Sequence, residues 1–350
     1  MLKISLFSLY KRIIKNYYMH NSFVLFKKPY EKKIIFYSHY NKNYVNNKFF
    51  LIKDFDDNFT IKIYPKKIYY TDIQKYYSYI NYFIPNFWEK HSSFLTYSNK
   101  YKKLIEKGVE YIKKGYFKKV VLSRYIKIHF HKFYLKETLQ RLILYYPNAL
   151  VYLWYDIHHG FWIGSSPELL IKCKKKKLKT VALAGTTWGE NKWTKKEIEE
   201  HHIVIKYIVN FLKFYDGYIF LEKTKVIKTG NLKHLETPIS FSFFKEPDYY
   251  EIINKLYPTP SICGFPKKTS LDFIKENEGY KRNFYTGYIG VINEKNMELY
   301  LNLRCATIKE DKKKIILYAG SGITINSNVN QEYIETEKKI KNILSQLIFK

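Results

Sequence analysis

Ala319-Gly-Ser-Gly-Ile323 follows the alternating run Lys314-Ile-Ile-Leu-Tyr318 and precedes a segment carrying Glu332, Glu335 and Lys339. Alternation predicts a strand over 314–318, the glycines predict a backbone turn, and positions i, i+3 and i+7 put both carboxylates and the cation on one face of a following helix. A Gly-rich turn offers its N–H groups to anions. Carboxylates beside it supply the hard oxygen ligands of a divalent cation such as Mg²⁺. The outline is a site for an anion and a metal together, although the trio taken alone also fits a solvated helix face with an internal ion pair.

Working outward, strands are expected near Gly287–Ile292 and Glu298–Ala306, the latter including Leu301-Asn-Leu-Arg304. Upstream, Lys119-Val-Val-Leu-Ser-Arg124, Leu150–Tyr155, Phe161–Gly164 and Leu178–Leu183 also read as strands, the last closed by Gly185. Helical spacing marks Tyr101–Lys114, stopped by Gly115, then Leu135–Tyr146 before Pro147, and Lys195–Phe214. Short alternating runs such as Phe23–Phe26, Lys33–Phe36 and Phe59–Tyr64 make roughly the first 95 residues strand-rich. Lys174–Lys177 reads as a charged hairpin tip. Strands in blocks with helices between them predict an α+β fold with a large, mainly antiparallel sheet core and flanking helices. No repeat of solenoid length is visible.

The formal charge of +30 and pI near 9.6 ordinarily point to nucleic acid or an anionic membrane. Here the Lys surplus accompanies abundant Ile and Asn, 36 Tyr and 25 Phe, against 14 Gly and 10 Pro. The favoured residues have A/T-rich codons, so codon bias explains the charge without a polyanionic partner. No zinc-finger or RNP-like motif accompanies it, and neither a nucleic-acid nor a membrane partner is expected. Three scattered cysteines, Cys173, Cys263 and Cys305, give neither a disulfide framework nor a metal motif. Met1–Tyr18 has no apolar core or cleavage site of an export leader, so a reducing cytoplasm is expected.

Three further positions carry chemistry and also have plain readings. Glu200 ends the apolar stripe Val204, Tyr207, Ile208 and Phe211, where an ionised carboxylate needs a partner: a salt bridge, water or a metal. Lys119 heads a strand and could be an edge charge that blocks aggregation. Ser165-Ser-Pro-Glu168 reads first as a turn with a helix-start carboxylate.

Taken in order, the segments resemble the chorismate-utilising enzymes, and among them the isochorismate synthases. The matching segments are Lys119–Arg124, Gly164-Ser-Ser-Pro-Glu-Leu-Leu170, Ala182-Leu-Ala-Gly-Thr186, Glu200-His201, Asn231-Leu-Lys-His-Leu235, Pro258-Thr-Pro260 with Cys263-Gly264, Arg282 with Tyr285 and Gly287, Leu303-Arg-Cys-Ala306, and Ala319–Ile323 with Glu332, Glu335 and Lys339. The resemblance spans roughly Tyr111–Leu347. It implies a variable N-terminal part, residues 1–95, belonging to the same domain as a chorismate-binding catalytic region over 96–350. It also implies that Mg²⁺ is held by Glu200 and Glu335 with Glu332 close by. Arg304, Lys339, Tyr285 and the amides near Gly320 and Gly322 would position the substrate carboxylates. Gly185, beside Thr186, would approach the substrate through its backbone, and His234 would orient the ring. A monomer or weak oligomer is expected.

Two positions bear on the subfamily. Relatives that add water have Lys where Lys119 stands, and those that add ammonia typically have Gln. Ala184 stands where aminodeoxychorismate synthases tend to have Lys and anthranilate synthases Gln. The resemblance therefore implies water addition at C2 with Lys119 as base, and Glu168 as the acid that protonates the departing C4 hydroxyl. Such a Lys must be neutral and such a Glu protonated, so opposed pKa shifts are required. The product would feed menaquinone synthesis, or siderophore synthesis. The nearest rival is a salicylate synthase, which also eliminates pyruvate; the rival of another class is a basic nucleic-acid-binding protein that has lost catalysis. Tyr257, Asn283 and Ser321 depart from the usual His, Gly and Ala.

Overall fold

The computed structural model describes residues 1–39, 47–73 and 98–350. Residues 74–95 of the strand-rich N-terminal part, and the boundary expected at 95, lie outside the described residues. Runs such as Phe23-Val-Leu-Phe26 have no polar side because both faces of their strands are covered. Val24 and Phe26 pack with Trp154, Phe50 and Ile289 between two sheets. Phe23 and Leu25 pack on the other face with Leu139, Ile143 and Ile340 of covering helices. The architecture is the expected α+β class, in four layers: helices, sheet, sheet, helices.

The ten-stranded sheet runs in the order Leu2–Lys3, Tyr69–Asp72, Lys33–Ser38, Phe23–Lys27, Leu150–Asp156, Gly160–Ser166, Cys305–Lys309, Lys314–Ile323, Lys119–His129 and Gly264–Phe265. Only its first pairing is parallel. The second sheet runs Gly217–Leu221, Leu232–Phe243, Lys177–Trp188, Leu169–Lys174, Asn296–Leu301, Tyr288–Asn293, Lys48–Lys53 and Thr60–Ile63, with Lys225–Thr229 also paired to Leu232–Phe243. N-terminal strands thus enter both sheets. Helices Leu6–Tyr18, Leu135–Tyr145 and Val329–Leu344 cover the first sheet. Lys195–Leu212 packs on the Lys177–Trp188 strand of the second sheet, Asn99–Lys113 and Lys267–Asn277 pack on the Lys119–His129 strand of the first, and with Tyr249–Leu256 they contribute Val204, Ile105, Phe273 and Ile252 to one core. No described helix is long and apolar enough to cross a membrane. All three cysteines are free and buried.

The expected strands and the helices over 101–114, 135–146 and 195–214 are present, and Lys174 pairs with Lys177 at a hairpin tip. Four local readings are corrected. Met1–Tyr18 contains a helix, Leu6–Tyr18, capped by Ser5. Glu168 does not start a helix; it lies between the strands Gly160–Ser166 and Leu169–Lys174. The strand expected to end at Gly185 continues to Trp188 through a bulge, where Gly185 takes φ +75°. The single strand expected over Glu298–Ala306 is two, in different sheets, with the chain crossing between them at Asn302–Arg304.

One buried ion pair ties this core to the future site. Arg282 donates through Nε to Glu278 Oε2 (2.8 Å), through Nη1 to Ile262 O (2.8 Å) and through Nη2 to Val121 O (2.7 Å). Glu278 Oε1 accepts from the Ser123 amide at 2.8 Å and its hydroxyl at 2.9 Å. The Lys119–His129 strand and the 257–264 loop are thereby held in register. Removing the cation leaves a buried carboxylate uncompensated, so Arg282→Met should lower unfolding free energy by about 3–5 kcal/mol in chemical denaturation, with part restored by adding Glu278→Gln. A loss below about 1 kcal/mol would contradict the clamp.

Candidate active site

Cys305–Lys309 pairs with its neighbour only as far as Leu317, so Ala319–Ile323 has the Lys119–His129 strand on one side only. On that side the Val121 amide donates to Cys263 O (2.7 Å) and the Ser123 amide to Glu278. The facing pairs Val121–Gly322 and Ser123–Gly320 are therefore the non-hydrogen-bonded pairs of the ladder, and both glycines turn their amides towards the open edge. The Gly-rich segment is a strand end and not the expected turn. Glycine is needed there for clearance: a Cβ at Gly322 would collide with the Glu200 carboxylate, and one at Gly320 would lie 2.7 Å from Leu122 O. Ser321 points the other way and bonds Tyr101 Oη (3.1 Å).

Behind Gly322 lies Lys119, wholly buried. Its Nζ is 3.1 Å from Glu200 Oε1 but has no hydrogen-bond acceptor in good geometry. Burial pushes its pKa below the usual lysine value, against the opposing pull of Glu200. Glu168 is also buried, and burial raises its carboxyl to about 7 despite a 2.7 Å hydrogen bond from Ser261 Oγ and the fields of Lys119, Lys339 and Arg304. These are the opposed shifts that a base and an acid require at neutral pH.

Glu200 projects from the helix Lys195–Leu212, and Glu332 and Glu335 from Val329–Leu344. Lys196, which begins in the first turn of its helix, bridges the two: its Nζ is 3.1 Å from Glu200 Oε2 and 2.9 Å from Glu332 Oε1. Lys339 holds Glu335 at 2.7 Å and donates to Gly320 O at 2.9 Å. Burial opposes the charge of Glu200, but Lys119, Lys196 and Lys339 outweigh it and hold that carboxyl at about 2. Burial, with Glu335 and Glu200 nearby, instead raises Glu332 to about 7 against the pull of Lys196. Among the described residues no three acidic, His or Cys groups form a ready metal cage. The donor chemistry nonetheless fits a hard divalent cation: carboxylate oxygens from two helices converge on cations, and Glu332 Oε2 is buried without a hydrogen-bond partner.

On the facing wall, Arg304 sits at the sheet crossing in the left-handed region, φ +48°. Its Nη2 donates to His234 Nε2 (2.5 Å), and His234 Nδ1 lies 3.2 Å from Thr186 Oγ1. Because the guanidinium can only donate, this network assigns the proton of a neutral imidazole to Nδ1. Burial, then Arg304, keeps His234 well below the usual histidine pKa. Arg304 Nη1 is buried with no partner, a donor left for an anion. Gly185 lines the same space, but a Cβ there would meet Glu197 O at 2.9 Å, so helix packing by itself requires glycine. Tyr285 stacks on Tyr318 at 5.3 Å.

One cavity gathers Glu168, Gly185, Thr186, Glu200, His234, Tyr285, Arg304, Gly320, Gly322 and Lys339. Lys119, Glu332 and Glu335 do not line it; Lys119 is paired to Glu200, Glu332 is joined to Glu200 through Lys196, and Glu335 is paired to Lys339. Sequence reasoning missed Lys196 and Ser261. Lys196 had a signal, since it is four residues before Glu200 and shares its helix face. Ser261 had none beyond its place in Pro258-Thr-Pro-Ser261.

A family model described as chorismate binding enzyme matches residues 84–348. Anthranilate synthase component 1 of Saccharolobus solfataricus is 29% identical over 266 residues, covering 69% of this chain and 61% of that protein. Isochorismate synthase MenF of Bacillus subtilis is 30% identical over 262 residues, covering 70% and 55%. The chain thus matches about three fifths of the length of these relatives. The solved structure of MenF, the menaquinone-specific isochorismate synthase from Escherichia coli, shares the fold with a TM-score of 0.76 at 20% identity, covering 93% of this chain and 88% of that one. With its match running through nearly every segment that builds the cavity, the chain belongs to the family of chorismate-binding enzymes.

Proposed function

We propose that the protein is an isochorismate synthase, converting chorismate reversibly to isochorismate by adding water at C2 with loss of the C4 hydroxyl. The observation that carries this reading is the placement of two buried groups, Glu168 on the cavity wall and Lys119 directly behind Gly322 with no hydrogen-bond acceptor in good geometry, where burial raises the carboxyl to about 7 and lowers the amine. Neutral Lys119 takes a proton from the attacking water. Protonated Glu168 gives its proton to the departing hydroxyl, which leaves as water while the double bond migrates. Arg304 Nη1, Lys339 and the outward amides of Gly320 and Gly322 receive the substrate carboxylates, and the neutral His234 holds Arg304 in place. Mg²⁺, held by Glu200 and Glu335 with Glu332 beside them, would supply electrostatic stabilisation of the ring carboxylate. Ala184, half of a bulge with no polar side chain, supports water as the nucleophile.

Purified protein given chorismate and Mg²⁺ should yield isochorismate by chromatography, with the product lost on adding EDTA. Lys119→Ala should lower kcat by about 10²–10⁴-fold, the range of a positioned general base. Salicylate with pyruvate, anthranilate formed only with ammonia, or unchanged chorismate would each contradict the assignment.

The pH dependence has a defined sign. A general acid works while protonated, so kcat/KM should fall as pH rises through about 7, where Glu168 ionises. The base limb runs the other way, activity rising as Lys119 loses its proton. The Ser261 hydroxyl stabilises the Glu168 carboxylate, and Ser261→Ala should move the alkaline limb to higher pH while leaving the acid limb in place. A limb that stays or moves down would contradict the pairing.

A further inference from the structure

Lys196 is a cation set where its own helix disfavours one. It lies in the first turn of Lys195–Leu212, whose positive end repels an ammonium, and it is buried. Its Nζ is held by Glu200 Oε2 at 3.1 Å and Glu332 Oε1 at 2.9 Å, carboxylates of two different helices. Around it, Glu200, Glu332 and Glu335 face Lys119, Lys196 and Lys339. A divalent cation entering this cluster adds positive charge where an ammonium already sits between the carboxylates.

Geometry makes the conflict local. Mg²⁺ sits about 2.1 Å from its oxygen ligands, whereas the ammonium already occupies the space about 3 Å from one oxygen of each of two expected ligands. An ion on those oxygens and the Lys196 ammonium cannot share the space. A lysine head on a flexible four-carbon stem can withdraw, and the helix dipole favours its withdrawal. We propose that Lys196 is a built-in counter-cation for the metal site: it holds the carboxylates of the two helices together in the metal-free protein and must be displaced when the metal binds. The proposal rests on the reading of Glu200, Glu335 and Glu332 as ligands of a divalent ion. It makes Lys196 a positioning residue that weakens metal affinity in the absence of substrate, opposite in sign to a residue that braces a bound metal.

The test is direct Mn²⁺ binding to substrate-free protein, read by electron paramagnetic resonance, for the wild type, Lys196→Met and Glu335→Gln. The proposal expects Lys196→Met to bind Mn²⁺ at least ten-fold more tightly than wild type, with binding lost in Glu335→Gln. It also expects the metal-free Lys196→Met protein to melt below wild type and the gap to close at saturating Mn²⁺. If Lys196→Met does not fold without metal, Lys196→Gln, which keeps hydrogen-bonding capacity and removes the charge, carries the same expectation. Equal or weaker Mn²⁺ binding in the charge-removing variants overturns the proposal while leaving the metal-site reading intact. Binding that is absent from wild type and variants alike, or that survives in Glu335→Gln, overturns the metal-site reading and the proposal with it.

Discussion

Burying carboxylates beside ammonium groups is the constraint on which this molecule is built. A charge taken out of water costs several kcal/mol unless it is matched closely, and here Lys196 meets Glu200 and Glu332 across two helices while Lys339 meets Glu335. That matching fixes how the helices Lys195–Leu212 and Val329–Leu344 approach each other. Burial also shifts the titration of the groups around it. Lys119 has a carboxylate nearby but no good hydrogen bond, so burial dominates and favours the neutral amine. At Glu168 burial again outweighs the Ser261 hydrogen bond and the pull of Lys119, Lys339 and Arg304.

The sandwich serves this arrangement through its irregularities. The strand edge at Ala319–Ile323 is left open because Cys305–Lys309 stops pairing at Leu317, so backbone donors face the cavity. At Asn302–Arg304 the chain leaves one sheet for the other, which aims Arg304 into the gap from the left-handed region of backbone space. The bulge at Gly185 turns Thr186 towards His234. Arg282 and Glu278 lock the strand that carries Lys119 to the loop that carries Ser261, the hydrogen-bond partner of Glu168, so both buried groups are braced by one ion pair.

Those same irregularities mark where sequence reading ran short. Regular strands such as Phe23–Phe26 were legible because burial on both faces leaves an unbroken apolar run, and Lys195–Leu212 because one apolar stripe recurs at helical spacing. The glycines of Ala319–Ile323 suggest a turn, since nothing local distinguishes a glycine that bends the chain from one that makes room. Leu301–Arg304 keeps a strand-like pattern while the backbone changes sheets. Leu6–Tyr18 is masked by a composition in which Lys, Tyr and Ile recur everywhere. The same excess hides Lys196: among 61 lysines and arginines, its place four residues before Glu200 draws no notice. Lys119, Glu168 and Arg304 were named through the resemblance of their segments to the chorismate-utilising enzymes, since an edge charge and a helix-start carboxylate are the plainer local readings of the first two.

The central claim is that this site adds solvent water to the ring. Mass spectrometry of product formed from chorismate in oxygen-18-enriched water addresses it directly. The account expects isochorismate carrying one heavy oxygen, at the C2 hydroxyl. Product formed without heavy oxygen, or a product bearing nitrogen at C2 when ammonia is present, would contradict it.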